Sequence, residues 1–145
     1  MDIRRATMLD ISYILALLIK MHEESEFELC KIEPEKICQT VSNAIENGVV
    51  FVSVQDGRIT GTIGGIYSSD WWSDETFLGD LWFYVCKADR NSKAAINLIK
   101  NFIDAGSDVQ LRLGHVYGGD MKRKDKFYER LGLLKAGSYY VTERK

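Results

Sequence analysis

The sequence predicts a single mixed α/β domain, in which strands and helices pack around one sheet. The chain has 145 residues, which is long enough for one hydrophobic core and short for two. Segments with the two-residue period of strands are interleaved with segments that have the period of helices. The first half of the chain is rich in hairpin-linked strands, and a strand–helix–strand unit follows it. The predicted order over residues 1–145 is therefore β-α-α-β-β-β-α-β-α-β.

Each predicted element has a local signal. Thr7 caps the first helix, which closes on polar residues from 22 to 26, and Pro34 suits the first turn of the second. Asn47-Gly48 ends that second helix, and Asp56-Gly57 is a hairpin turn signal. Ala95, Leu98, Ile99, Phe102 and Ile103 form the apolar face of a third helix, which Ala105-Gly106 ends, and a last helix covers residues 121–131. The predicted strands are residues 3–6, 49–54, 59–67, 76–85, 109–116 and 134–142.

Two adjacent tryptophans, Trp71 and Trp72, stand in a polar loop between the second and third hairpin strands. They fit an aromatic wall beside a substrate site. They also fit a structural role, in which one ring enters the core and the other covers a sheet edge. We favour the structural role because large aromatic side chains are usually buried.

The stretch from Asp80 to Phe102 organises the chain. An apolar strand feeds a helix through a short polar turn that contains Arg90, Asn91, Ser92 and Lys93. Such a turn aims backbone N–H groups and the positive end of the helix dipole at the space above the strand. The turn is therefore either a phosphate-binding site or an ordinary strand–helix connection.

Composition narrows the class of protein. A net charge of −2 argues against a general nucleic-acid or membrane-surface binder. The three cysteines, Cys30, Cys38 and Cys86, lack metal-ligand spacing and indicate reduced thiols. The sequence has no apolar run of about 20 residues and no signal-peptide pattern, so we expect a cytoplasmic protein. Because the cysteines lack metal-ligand spacing, we expect no metal centre.

Two motifs resemble those of the GNAT superfamily of N-acetyltransferases. Val85, four residues and then Arg90-Asn91-Ser92-Lys93-Ala94-Ala95 resemble its acetyl-coenzyme A signature, with Lys93 where the family usually has glycine. Downstream, Phe127-Tyr128-Glu129-Arg130-Leu131-Gly132-Leu133 resembles the family's Phe-Tyr-Glu-Lys-Leu-Gly-Phe segment. With the first strand and helix, the resemblance covers nearly the whole chain.

The resemblance implies a splayed central sheet, acetyl-CoA as co-substrate and direct transfer to an amine. It implies that Tyr128 is the general acid that protonates the leaving thiolate. The connection at residues 22–32 would contact the acceptor. The implied cofactor-binding residues are Phe83, Tyr84 and Val85 through their backbone, then Arg90, Asn91, Ser92, Lys93, Ala94, Ala95 and Lys124.

The general base has three candidates. Asp80 lies one residue from where family members often carry a glutamate, His115 follows the next strand and has a suitable intrinsic pKa, and Glu75 is the third. A water chain, or an acceptor that arrives deprotonated, would need none of them. The acceptor itself is either a small-molecule amine or a protein amine.

Two other classes of function compete with the enzyme. One is a non-catalytic member that binds coenzyme A or a protein partner. The other is a nucleic-acid-binding module that uses Lys122, Arg123, Lys124 and Lys126. We expect the enzyme, with no nucleic-acid or membrane partner, and a homodimer is compatible with the family.

Overall fold

The computed structural model describes residues 1–114 and 119–142. Five strands form one mixed sheet in the order β1-β2-β3-β4-β5. All neighbours are antiparallel except β4 and β5, which are parallel. The strands are β1 (Asp2–Arg5), β2 (Val49–Gln55), β3 (Arg58–Ser69), β4 (Thr76–Val85) and β5 (Gln110–Arg112), and the helices are α1 (Ile11–Glu23), α2 (Pro34–Asn47), α3 (Ala94–Ala105) and α4 (Met121–Arg130).

Helices cover both faces of the sheet. Helix α3 packs on one face, where Phe102, Leu98 and Ile99 are fully buried against the strands. Helices α1 and α2 pack on the other face, where Ile14 and Val41 are fully buried. The mixed α/β fold predicted from the sequence is therefore confirmed.

The predicted last strand, residues 134–142, is wrong for this chain. All nine residues are exposed, and none of them is in a strand. A strand needs a hydrogen-bonding neighbour, and in the described chain β5 ends at Arg112 with no strand on its outer side. Strand β5 is also shorter than the predicted 109–116, of which residues 115 and 116 lie outside the described part.

The entry to α1 is stabilised by Asp10, whose side chain is buried. Its carboxylate accepts two hydrogen bonds from the Arg4 guanidinium, at 2.7 and 2.9 Å, and one from the Thr7 backbone N–H at 2.8 Å. The Arg4 hydrogen bonds are the largest cause that lowers the pKa of Asp10, despite its burial. The carboxylate therefore stabilises the folded state in its charged form.

Replacing Asp10 with alanine should lower the free energy of unfolding by about 2–4 kcal/mol, since it removes a helix cap and charge-assisted hydrogen bonds. This contribution is present above the unfolded pKa and is lost as the pH falls through the lowered folded pKa. Urea unfolding at neutral and acidic pH measures both effects. The control, Asp104→Ala, removes an exposed carboxylate from α3 and should change stability by less than about 0.5 kcal/mol.

No helix in residues 1–114 or 119–142 has both the length and the apolar character that crossing a membrane requires. The same residues contain no group of three or more histidine, cysteine or acidic side chains that could hold a metal ion.

Candidate active site

The candidate site lies where β4 and β5 part. The two strands pair only from Phe77 to Gly79 of β4. The next residue, Asp80, bridges the gap, because its Oδ1 accepts a hydrogen bond from the Gly114 backbone N–H at 3.1 Å. Beyond this bridge no described strand lies beside that edge of β4, which leaves an opening up to Val85.

A bulge in β4 sets the direction of the Asp80 side chain. Gly64 of β3 pairs with Trp82 and Gly65 pairs with Asp80, so Leu81 is an extra residue in β4. Leu78 therefore packs on the α3 face while Trp82 packs on the opposite face. Asp80 follows Leu78 by two residues and shares its face, which is also the face of α4.

Burial makes Asp80 a stronger base than an ordinary carboxylate. Desolvation raises the pKa of Asp80 to about 6, although the hydrogen bond from Gly114 acts in the opposite direction. At neutral pH the carboxylate is therefore mostly charged, yet it accepts a proton far more readily than a surface aspartate does. A pKa near the working pH is the property that general-base catalysis requires.

Tyr128 faces Asp80 from α4. It packs against the α3-side core, and its neighbour Phe127 lies 6.4 Å from Phe83 between ring centroids. Burial, and then the negative charge of Asp80, raise the pKa of Tyr128. The phenol therefore keeps its proton at neutral pH and is a hydrogen-bond donor near the carboxylate. The structure thus brings together a proton acceptor and a proton donor at the opening between the strands.

Arg90 closes the far end of this opening in an arrangement that the sequence did not predict. Its Nε donates to the Val85 carbonyl at 2.9 Å, and its Nη2 lies 3.2 and 3.3 Å from the two carboxylate oxygens of Glu24. Glu24, at the end of α1, also lies 3.5 Å from Lys87 Nζ and accepts a hydrogen bond from Tyr84. One acidic side chain therefore neutralises part of the basic cluster.

The sequence predicted that the connection after α1 contacts the acceptor. In the structure, Glu24 at its start contacts the basic loop that contains Lys87 and Arg90. A second carboxylate of this connection contacts the segment before α4 instead, since Glu26 Oε1 accepts a hydrogen bond from the Gly119 backbone N–H at 3.1 Å. An acidic helix end is too common a sequence pattern to have identified these two residues beforehand.

The turn before α3 leaves two backbone N–H groups without a backbone partner within the described residues. Ser92 Oγ accepts the Ala94 N–H at 3.2 Å, so that amide is already used. The N–H groups of Ala95 and Ile96, in the first turn of α3, have no backbone partner within the described residues. Lys93 has φ −84°, so this position does not need the conformational freedom of glycine.

Lys124 is the member of the α4 basic cluster that interacts with Arg90. Burial lowers the pKa of Lys124, and the positive charge of Arg90 lowers it further against the opposite effect of Glu26. The remaining members, Lys122, Arg123 and Lys126, are exposed. Arg90, which precedes α3 by four residues, and Lys124 of α4 are therefore close enough for their charges to interact.

The other predicted site residues have separate outcomes. Glu75 is exposed before β4, about 16 Å along the chain from Asp80 at strand spacing, so it does not join Tyr128. The third candidate base, His115, lies outside the described residues.

The structural role favoured for the tryptophans is wrong, because Trp71 is 93% exposed and Trp72 is 65% exposed. Their short polar loop projects from the sheet and cannot bring either ring into the core.

Comparisons with known proteins agree on the fold. No family model matches the chain, and no curated protein matches it by sequence. Solved structures do match, among them a Trypanosoma brucei acetyltransferase (16% identity, 99% of each chain covered, TM-score 0.73). Another is a predicted acetyltransferase with acetyl-CoA from Clostridium acetobutylicum (12%, 98% of this chain and 95% of that one, 0.77). A third is the aminoglycoside 6'-N-acetyltransferase AAC(6')-IG from Acinetobacter haemolyticus (14%, 100% and 99%, 0.72). The chain therefore has the fold of the GNAT-type acetyltransferases.

Proposed function

We propose that this protein transfers an acetyl group from acetyl-CoA to a primary amine. The observation that carries the proposal is that Asp80, where β4 and β5 part, lies close enough to Tyr128 for its charge to act on the phenol. The site therefore contains a group that can accept a proton, a carboxylate with a pKa of about 6, and a group that can donate one, a protonated phenol. The likeness in fold to acetyltransferases, one of them with acetyl-CoA, supports the choice of acetyl donor.

In the proposed reaction the neutral amine attacks the thioester carbonyl. A C–N bond forms, the carbonyl electrons move onto oxygen, and Asp80 accepts the proton that the amine loses. Collapse of the tetrahedral intermediate breaks the C–S bond, and Tyr128 donates its proton to the coenzyme A thiolate. The products are an amide and the free thiol, and Tyr128 regains a proton from the site or from solvent.

The phosphate groups of acetyl-CoA would bind at the N-terminus of α3. The amides of Ala95 and Ile96 supply N–H donors there, and the cations Arg90 and Lys124 supply charge. Asn91, Ser92 and Lys93 line the same turn. The backbone of Phe83, Tyr84 and Val85, on the open edge of β4, would hold the pantetheine arm.

The acceptor is proposed only as an amine, either of a small molecule or of a protein. Aminoglycosides join the substrates to be tested, because one structure of similar fold acts on them. Polyamines, peptide N-termini and lysine side chains complete the panel.

Calorimetric titration with acetyl-CoA tests the donor. We expect the wild-type protein to bind one equivalent and Arg90→Glu to lower the affinity by about 30-fold, since a phosphate partner becomes a repelling charge. Glu24→Gln should raise the affinity by about threefold, because it frees Arg90 from a competing carboxylate.

The matched control for Arg90→Glu is Lys100→Glu, which reverses an exposed charge further along α3. It should change the affinity by less than about twofold, because solvent and salt screen a charge at that distance. Absence of saturable binding by folded wild-type protein would contradict the proposed donor. Equal affinities for wild type and Arg90→Glu would contradict the assigned phosphate site alone.

A further inference from the structure

The loop between β3 and β4 presents two aromatic side chains that the proton transfers at Asp80 and Tyr128 do not use. Trp71 is 93% exposed and Trp72 is 65% exposed. Their rings meet edge to face, with 5.4 Å between centroids, so each ring supports the orientation of the other. Large aromatic surface that remains in contact with water is unfavourable for the fold and marks a binding surface.

Trp72 forms one wall of a cavity with a volume of about 310 Å³. Phe77, Asp70, Glu75 and Arg112 line it as well. This volume lies at the lower end of the range for small-molecule sites. The cavity therefore suits one end of a ligand rather than a whole ligand.

The wall of this cavity already holds a cation of the protein itself. The Arg112 guanidinium lies 3.8 Å from the centre of the Phe77 ring and donates two hydrogen bonds to Asp70, at 2.6 and 2.7 Å. Trp72 and Glu75 supply a second aromatic ring and a second carboxylate. Glu75 forms no ion pair within residues 1–114 and 119–142, so its charge is not neutralised there.

Charge around the cavity favours a positively charged ligand. From residue 70 to residue 80 the chain carries the acidic side chains Asp70, Asp74, Glu75 and Asp80, and it has no lysine or arginine in that stretch. Arg112 neutralises only the first of them. An ammonium group gains energy both from a carboxylate and from the face of an indole ring. The ligand chemistry that fits the cavity is therefore an ammonium group.

The cavity opens toward the place where β4 and β5 part. Neighbouring residues of a strand point to opposite faces, so Phe77 lies on the α1–α2 face because Leu78 packs on the α3 face. Gly79 shares the face of Phe77 and has no side chain, and it belongs to the last residue pair before the strands part. Three residues at strand spacing, about 10 Å, separate Phe77 from Asp80. A ligand that extends along this face from the cavity therefore reaches the opening beside Asp80.

We propose that this cavity holds a second ammonium group of the acceptor, so that the preferred acceptor is a polycation, either a linear polyamine or an aminoglycoside. The inference rests on the proposed acetyl transfer, because it places the far end of the same acceptor. The bound ammonium group lies over the Trp72 ring and beside the Glu75 carboxylate, while the reacting amine lies about 10 Å away, near Asp80. Arg90, assigned to the coenzyme phosphates, follows the opposite end of β4, so the two substrates do not compete for space.

Calorimetric titration without acetyl-CoA tests the cavity, with spermidine, kanamycin and the monoamine propylamine as probes. The wild type should bind at least one polycation about 10-fold more tightly than propylamine. Trp72→Ala should lower that affinity by about 10-fold and Glu75→Gln by about threefold, whereas Trp72→Phe, which keeps an aromatic face, should lower it by less than about threefold. The control Asp104→Asn removes an exposed carboxylate from α3, on the other face of the sheet, and should change nothing.

The two polycations distinguish the sources of the ammonium group. Binding of spermidine alone that depends on Trp72 would identify a linear polyamine, and binding of kanamycin alone would identify an aminoglycoside. In acetyl transfer, Trp72→Ala should raise KM for the polycation by about 10-fold, a larger effect than that on kcat, because the far end of the acceptor does not react.

Equal affinities of the wild type for propylamine and both polycations would overturn the proposal, and so would undiminished binding of the polycations by Trp72→Ala. Since Trp72 is exposed, circular dichroism of this variant should match that of the wild type. Binding that depends on Trp72 without any acetyl transfer would support the cavity and contradict the proposed function. Acetyl transfer to a polycation with a KM unaffected by Trp72→Ala would overturn the assignment of the cavity alone.

Discussion

Asp80→Asn should lower kcat/KM for acetyl transfer by about 100-fold at neutral pH and, at the same time, make the protein more stable. Asparagine keeps the carbonyl oxygen that accepts the Gly114 N–H, so the bridge between β4 and β5 survives. It cannot accept a proton from the attacking amine. Activity and stability should therefore change in opposite directions, as expected for a buried charge that destabilises the fold but serves the reaction.

The stability change follows from the raised pKa. Burial raises the pKa of Asp80 from 3.8 to about 6, so ionising the side chain is harder in the folded state than in the unfolded state. The folded protein holds the extra proton between these values, and stability therefore falls as the pH rises from about 4 to about 6. Above this window the charged carboxylate costs about 3 kcal/mol, and Asp80→Asn should recover much of it.

Urea unfolding of both proteins at pH about 3.5 and about 7.5 measures this, with the gain expected only at the higher pH. The pH profile supplies the kinetic counterpart: kcat/KM of the wild type should rise through about pH 6 and then level off. Asp104→Asn, on the exposed side of α3, is the matched control and should change neither quantity. A variant with wild-type activity at neutral pH would remove Asp80 from the mechanism.

Tyr128→Phe should lower kcat by about 10- to 100-fold and leave the affinity for acetyl-CoA unchanged. The ring still packs against the α3-side core, so only the donor hydroxyl is lost. Its burial and the nearby Asp80 charge keep that hydroxyl protonated, which makes it available when the thiolate leaves. The expected loss lies at the lower end for acid catalysis, because a thiolate leaves more easily than an alkoxide.

Comparison with Tyr13→Phe separates this role from a general effect of removing a hydroxyl. Tyr13 lies on α1 and is 63% exposed, so its variant should keep wild-type kcat. Acceptors of different basicity add a second readout. If Tyr128 protonates the thiolate, the loss in kcat should be similar for all of them, since the leaving group is the same. A Tyr128→Phe variant with undiminished kcat for every acceptor would exclude the tyrosine as the acid.

Sequence alone predicted most of the fold and both central residues of the candidate site. The apolar periodicity of α3 and of the strands is local, so their positions followed from the spacing of residues such as Leu98 and Phe102. Tyr128 was identified because its motif lies within one helix. Asp80 was one of three candidate bases, since its direction depends on the bulge at Leu81, and nothing in the order of residues fixes a bulge.

Features that depend on contacts distant in the sequence were the ones that it did not predict correctly. The ion pair of Glu24 with Arg90 joins residues 66 positions apart, and many carboxylates could have filled that role. The strand predicted at residues 134–142 is absent, because a strand exists only beside a partner, and the described chain offers none. The tryptophans were assigned to the core because of their size, whereas their loop holds them in solvent.

Acetyl transfer itself provides the most direct test of the proposed activity. Purified protein is mixed with acetyl-CoA that carries a carbon-13 acetyl group and with the panel of aminoglycosides, polyamines and lysine peptides. Mass spectrometry follows the label while free thiol is quantified. We predict labelled amide on at least one amine, with one thiol released per acetyl group transferred, and a rate that falls sharply in Asp80→Asn and in Tyr128→Phe. The opposite result is a protein that binds acetyl-CoA to saturation but acetylates no amine of the panel faster than a variant carrying both Asp80→Asn and Tyr128→Phe. That result would contradict the proposed function.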